Sequence, residues 1–156
     1  MEILKASLPD AEQILALQKQ AYYSEAELNN DFSIPPLTQA LEQLRTEFDV
    51  KEILKVVHNG ELVGSGQVKL ENGTALIGRI IVRPDLWGQG IGSRILYALE
   101  SVFSNAKRFE LFTGAQSVKN IAFYKRHGYI EYKEAHLGKT KVIFLEKFAS
   151  ARQIVA

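Results

Sequence analysis

Two Asn-Gly pairs constrain this chain more than any other feature. Asn59-Gly60 and Asn72-Gly73 cut residues 53–83 into three runs, "EILKVVH", "ELVGSGQVKL" and "TALIGRIIV". Asn-Gly takes the left-handed backbone that a two-residue turn between twisted antiparallel strands requires. The middle of the chain is therefore predicted to be a three-stranded antiparallel meander. Gly64 and Gly66, inside the second run, predict a bulge or a close contact.

The flanks read as helices and further strands. "MEILKAS" is a short first strand, and Ser7 with Asp10 forms a helix-capping signal. Ile14, Leu17 and Ala21 recur at helical spacing, predicting a helix over about 9–22. "YYSEAELNNDFSIPP", residues 22–36, reads as a long loop, and Leu37, Leu41, Leu44 and Phe48 restore a helix over about 36–48. After the meander, Ile91, Ile95, Leu96, Leu99 and Val102 predict a helix over about 91–104. "RFELFTG" (108–114) is then a strand parallel to the one before it, and Ser117 caps a helix over about 118–126. "YIEYKEAHL" and "TKVIFLEKF" close a hairpin across Gly138-Lys139. The expected architecture is α+β: a mixed, mostly antiparallel sheet of six to seven strands with helices on both faces, as one domain over 1–156.

Between the meander and the third helix stands "PDLWGQGIGSRIL", with Gly88, Gly90 and Gly92 at alternate positions. The first turn of a helix presents unpaired N–H groups and the positive end of the helix dipole. Glycines let a bulky anion approach that backbone, so the loop is expected to wrap a phosphate or pyrophosphate. It is not the triphosphate-binding loop, because no lysine follows the last glycine where that motif requires one. Nor is it the dinucleotide fingerprint: the spacing is G-x-G-x-G, and an antiparallel meander precedes it. Glu110 stands twenty residues after Gly90, but inside a strand rather than at its end.

Composition narrows the classes further. The chain has no cysteine, so no disulfide framework and no thiolate of its own. No apolar run reaches membrane-spanning length, and "MEILKASLPD" lacks the apolar core of a secretory signal, which predicts a cytoplasmic protein. Residues 1–50 hold 3 Lys/Arg against 9 Asp/Glu, while residues 51–156 hold 16 against 9. That split allows two ligands of opposite charge, or merely solvated helix faces. Scattered cations on a nearly neutral chain argue against nucleic acid. No His/Asp/Glu spacing suits a metal.

"IIVRPDLWGQGIGSRIL" resembles the first signature of the GNAT superfamily of acetyl-CoA-dependent N-acetyltransferases, with Val82, Pro84, Gly88, Gly90, Ile91 and Gly92 in place. "NIAFYKRHGY" is similar to the family's second signature through Asn120, Ala122, Tyr124, Gly128 and Tyr129. The resemblance implies acetyl-CoA as co-substrate. Its pyrophosphate would lie on Gly88, Gln89, Gly90, Ile91, Gly92 and Ser93, and its pantetheine along the strand at Ile81 and Val82. Pro84 would help part that strand from 108–114. Trp87, the only tryptophan, stands where the family has Arg or Gln, so phosphate binding is expected to rest on backbone.

The resemblance also implies roles in catalysis. The amine attacks directly within a ternary complex, Tyr124 protonates the leaving thiolate, and Asn120 reaches the cofactor. Lys125 and Arg126 are candidates for the terminal phosphate. No general base is identified, since "TALIGRIIV" carries Arg79 as its sole charge. Glu25, Glu27, Asp31 and Arg79 are the candidate acceptor-binding residues, for a small cationic molecule with a primary amine. His58, His127 and His136 read as surface histidines. Two alternatives stay open: acetylation of a protein N-terminus or lysine, and a coenzyme A sensor without turnover. The C-terminal "KFASARQIVA" is the candidate surface for a homodimer.

Overall fold

The computed structural model describes residues 1–149. The meander forms as the turn chemistry predicts: β2 (Glu52–His58), β3 (Glu61–Glu71) and β4 (Thr74–Val82) pair antiparallel in sequence order. Asn59, Gly60, Asn72 and Gly73 all take positive φ, as tight turns between twisted strands demand. Strand β1 (Glu2–Lys5) adds to β2, and β5 (Arg108–Gly114), β6 (Ile130–Leu137) and β7 (Thr140–Phe148) complete seven strands in the order β1-β2-β3-β4-β5-β7-β6. Only the β4–β5 pairing is parallel.

Helices cover both faces. On one, α1 (Ala11–Leu28) and α3 (Leu41–Glu47) bury Ile14 and Leu44 with Ile53 of the sheet, and a short α2 (Pro35–Thr38) connects them. On the other, α4 (Ile91–Glu100) packs Ile95, Leu96 and Leu99 onto Val56, Val63 and Val68. Gly66 permits that approach: a Cβ there would stand 2.7 Å from Leu99 and 2.8 Å from Ile95. Helix α5 (Val118–Arg126) follows β5 and fits between α1 and the start of α4.

The first helix differs from the sequence reading. It runs through Leu28, so Glu25 and Glu27 lie on helix rather than loop. The apolar stripe continues to Ala26, which is fully buried, and this packing overrides the polar residues that resemble a loop. Residues 36–48 also divide into two short helices, because Gln39 and Ala40 take extended backbone.

A second difference concerns the parting of β4 and β5. They pair only over Thr74–Leu76 with Arg108–Glu110. Separation thus begins well before Pro84. It coincides with a bulge: Gln67 pairs with Gly78 and Ser65 with Ile81, leaving Arg79 in the left-handed region at φ 52°. Beyond it β4 stays with β3 while β5 stays with β7, and a cleft opens between them.

Candidate active site

The glycine loop forms the mouth of this cleft. Gly88 and Gly90 both have φ 81°, and Gly90 is the residue before the first turn of α4. A Cβ on either would meet nothing within 4 Å, so conformation, not crowding, requires glycine there. Gly92 differs: it sits within the helix, and a Cβ there would stand 3.6 Å from the Phe123 ring of α5. Trp87, Gly88, Gln89 and Gly90 are exposed, and α4 presents its free N–H groups beside them. This open face suits an anion held by backbone amides.

Trp87 does not project into solvent as a free ring. Its indole Nε1–H donates to the carbonyl of Val82 at 2.8 Å, folding the loop back onto the end of β4. Arg83 braces the same turn, with 2.7 Å bonds to both Asp85 and Glu61. Because the Arg83 N–H bonds to Val63 of β3, alternation directs the N–H and C=O of Val82 the other way, into the cleft. Ile81 is buried against Leu17 and Ala21 of α1. The Ser93 hydroxyl, at the first turn of α4, lies 3.0 Å from His127 Nε2 at the end of α5.

The floor of the cleft is built by α1 and α5. Ser117 occupies the position before α5, but its hydroxyl does not cap the helix; it donates to Glu25 at 2.8 Å. Asn120 donates to the other Glu25 oxygen and also to Thr113 at 3.3 Å. Asn29, one turn below Glu25, binds the Gln116 N–H and the Ser117 hydroxyl, both at 3.2 Å. Burial pushes the Glu25 carboxyl above its ordinary value, and the bonds from Ser117 and Asn120 only partly offset this.

Two phenols face this carboxylate. Burial raises Tyr124 well above the usual tyrosine range, with Tyr22 and Glu25 adding to the shift. Its ring packs edge-on against Phe123 and Tyr129, and among the described residues its hydroxyl has no hydrogen-bond partner. Burial pushes Tyr22 up to about 12, with Arg79 pulling it down and Glu25 adding to the rise. Tyr22 also packs against the cluster that Leu17 and Ala21 of α1 form with Ile81 of β4. The sequence does not single it out, because the apolar periodicity predicts the helix to end at its position.

The remaining acceptor-side candidates separate. Glu27 is exposed on α1. Asp31 is buried, and Ser33 and Thr140 donate to it, so it clamps the end of α1 to the β6–β7 hairpin. Most acids of the first third are likewise engaged within the fold, as in Asp10 with Lys55 and Glu47 with Lys51. Lys125 pairs with Glu131. Tyr129, from the second signature, donates to Glu100 at 2.7 Å in the core. Among the described residues, no cluster of three or more His, Cys, Asp or Glu side chains could hold a metal. Among them, too, no helix is long and apolar enough to cross a membrane. Of "KFASARQIVA", residues 150–156 lie outside the described residues.

The model of the acetyltransferase (GNAT) family matches residues 11–129, from α1 through the second signature. The chain belongs to this family. The GNAT fold is shared by PaiA N-acetyltransferase from Thermoplasma acidophilum, solved in complex with coenzyme A. It is 18% identical, with a TM-score of 0.80 over 94% of this chain and 98% of that one. The ribosomal-protein-S18-alanine N-acetyltransferase from Escherichia coli gives 0.75 at 16% identity, over 94% and 92%. A chimeric spermidine N-acetyltransferase SpeG from Vibrio cholerae and hSSAT gives 0.74 at 15%, over 99% of both chains. UPF0157 protein YqkA of Bacillus subtilis is 25% identical over 119 residues, which are 76% of this GNAT chain and 34% of that protein. The chain thus spans about a third of the length of the curated relative it matches.

Proposed function

We propose that this GNAT domain transfers an acetyl group from acetyl-CoA to the primary amine of a small molecule, which reaches the site as its ammonium form. The observation that carries this reading is the meeting of three parts at one cleft: the open glycine mouth of α4, the Tyr124 hydroxyl, unpartnered among the described residues, and the half-buried Glu25 carboxylate. Residues present fit coenzyme A: Gly88, Gly90 and the first turn of α4 would hold its pyrophosphate, and the inward-facing N–H of Val82, whose carbonyl is taken by Trp87, would line its pantetheine.

Acetyl-CoA supplies an activated acetyl thioester. Glu25 holds the ammonium and takes its proton, directly or through a water, because its raised pKa makes it a stronger base than a surface carboxylate. The nitrogen then forms the C–N bond as the C–S bond breaks. The N–H of Val82, aimed into the cleft, donates to the thioester oxygen as charge grows there. Tyr124 gives its proton to the departing sulfur and recovers one from the acetylated nitrogen, which sheds its second proton as the amide forms; burial, which disfavours the free phenolate, means Tyr124 is fully protonated beforehand. Asn120 and Ser117 keep the Glu25 carboxylate in place.

Incubation with acetyl-CoA and a panel of amines, followed by free thiol release, tests the reading. Saturable thiol release dependent on the amine is the expected result. Coenzyme A binding by calorimetry without turnover on any amine would replace it with a sensor role.

A further inference from the structure

Trp87 leaves the glycine mouth without the Arg or Gln that the signature carries, since its side-chain N–H is bonded to the Val82 carbonyl. A polar group arrives instead from α5. His127, the residue that ends this helix, sets its Nε2 3.0 Å from the hydroxyl of Ser93, the third residue of α4. Both residues are partly buried, whereas Lys125 and Arg126 beside them are exposed. The imidazole packs on Phe123, with ring centres 4.8 Å apart. A Cβ at Gly92 would stand 3.6 Å from that same Phe123 ring, so α5 is seated on the first turn of α4.

Ser93 does not behave as an ordinary helical serine. Such a serine commonly bonds back to the carbonyl four residues earlier, as Ser101 does to Tyr97 at 2.9 Å at the other end of α4. Four residues before Ser93 lies Gln89, outside the helix, and the hydroxyl crosses to His127 instead. Helical Cβ atoms tilt toward the N-terminus, so this side chain leans toward the free N–H groups of the mouth. The bond can run either way: Ser93 donates to a bare Nε2, or an Nε2–H donates to the Ser93 oxygen. Among the described residues the imidazole Nδ1 has no hydrogen-bond partner and no carboxylate pairs with the ring, so nothing else there fixes the proton.

We propose that Ser93 and His127 form a donor relay for the pyrophosphate of coenzyme A. The Ser93 hydroxyl binds the anion, and His127 is the positioning residue that points the hydroxyl proton at it. The proposal rests on the reading that coenzyme A occupies this mouth. An ionised phosphate oxygen accepts and does not donate, so Ser93 turns its proton to the ligand. The Ser93 oxygen then accepts from Nε2–H of His127. Both bonds run in one direction, from imidazole to hydroxyl to phosphate, and bonds so aligned polarise one another. The relay thus supplies from α5 the side-chain donor that position 87 lacks, and it couples the element of the second signature to the loop of the first.

The test reads binding, by calorimetry, of coenzyme A and of dephospho-coenzyme A, which keeps the pyrophosphate and lacks the terminal phosphate. Ser93→Ala and His127→Ala should each weaken both ligands by about tenfold, the effect of one hydrogen bond to a charged group. The double variant should fall within about twofold of either single one, because both remove the same relay. His127→Gln, whose amide places a donor near the position of Nε2, should recover most of the lost affinity, which a merely structural role for the ring would not allow. In the wild type, nitrogen NMR should show His127 protonated at Nε2 in the coenzyme A complex. Unchanged affinity in both single variants would overturn the relay, as would losses that multiply in the double variant or a bare Nε2 in the complex. A loss confined to coenzyme A would overturn it too, moving His127 to the terminal phosphate. The wild-type spectrum decides even where a variant fails to fold. A protein that binds coenzyme A but acetylates no amine still tests the relay, whereas one that does not bind coenzyme A overturns both the relay and the acetyl-transfer reading.

Discussion

The indole Nε1–H of Trp87 is bonded to the Val82 carbonyl at 2.8 Å, tying the glycine loop to the last residue of β4. The residue that departs from the family signature thus acts as a strut inside the loop. Its ring cannot replace a cation at phosphate, but it fixes the backbone proposed to hold the pyrophosphate. Trp87→Phe keeps the ring and loses the donor. It should cost about 0.5–1.5 kcal/mol in stability and weaken coenzyme A by several-fold in calorimetry. Because Trp87 is the sole tryptophan, its fluorescence should also shift as coenzyme A is titrated. Unchanged affinity in the variant and a flat fluorescence titration would remove the strut role.

In the proposed mechanism Glu25 sets the acid limb of the pH profile. Its carboxyl is raised by burial above the ordinary 4.5, so the base form is lost as pH falls through that raised value, earlier than for a surface glutamate. Glu25→Gln should abolish this limb and lower kcat/KM by about a hundredfold or more. An identical limb in wild type and variant would assign it to another group.

Tyr124→Phe removes the proton offered to sulfur while keeping the ring contacts with Phe123 and Tyr129. A kcat reduced about a hundredfold, with coenzyme A affinity and melting temperature nearly unchanged, is the expected pattern. A Phe variant that turns over at the wild-type rate would end the acid assignment.

Gly114 is required by Asn29, whose amide a Cβ at this position would overlap. Gly114→Ala should displace Asn29 and loosen the bracket to Gln116 and Ser117 that sets Glu25. Activity should therefore fall further than stability, read as kcat/KM against denaturant midpoint. Gly66→Ala is the contrast: it overpacks Leu99 and Ile95 and should cost stability by about 1–3 kcal/mol.

Asp31 contributes to acid resistance. Bonds from Ser33, then Thr140, hold its carboxyl at about 2, against 3.8 for the free side chain. A carboxyl lowered on folding stabilises the native state above about pH 4 and loses that contribution as pH falls toward 2. Asp31→Asn should melt earlier than wild type at neutral pH, with the gap closing near pH 2. A gap constant across that range would refute the assignment.

The sequence by itself determined the meander, the glycine mouth and the family. Each depends on local backbone chemistry: Asn-Gly turns, positive φ at Gly88 and Gly90, and a helix start with free N–H groups. Tyr124 was legible for a related reason, since its short-range motif fixes its place on α5. The acceptor side was not legible. Glu25 reads as a loop acid because Asn29, Asn30, Asp31, Ser33 and two prolines follow it, and only burial of Ala26 shows that α1 continues there. Ser117 looked like a helix cap, and tertiary contact turned its hydroxyl to Glu25, 92 positions away. Arg79 is visible as the lone charge of its strand, but its positive φ and its lack of an ion pair among the described residues emerge only from the tertiary structure. Periodicity reports which face of an element is apolar; it carries no record of which polar side chains two distant elements bring together. That meeting, set by the bulge that parts β4 from β5, is what the tertiary structure decided.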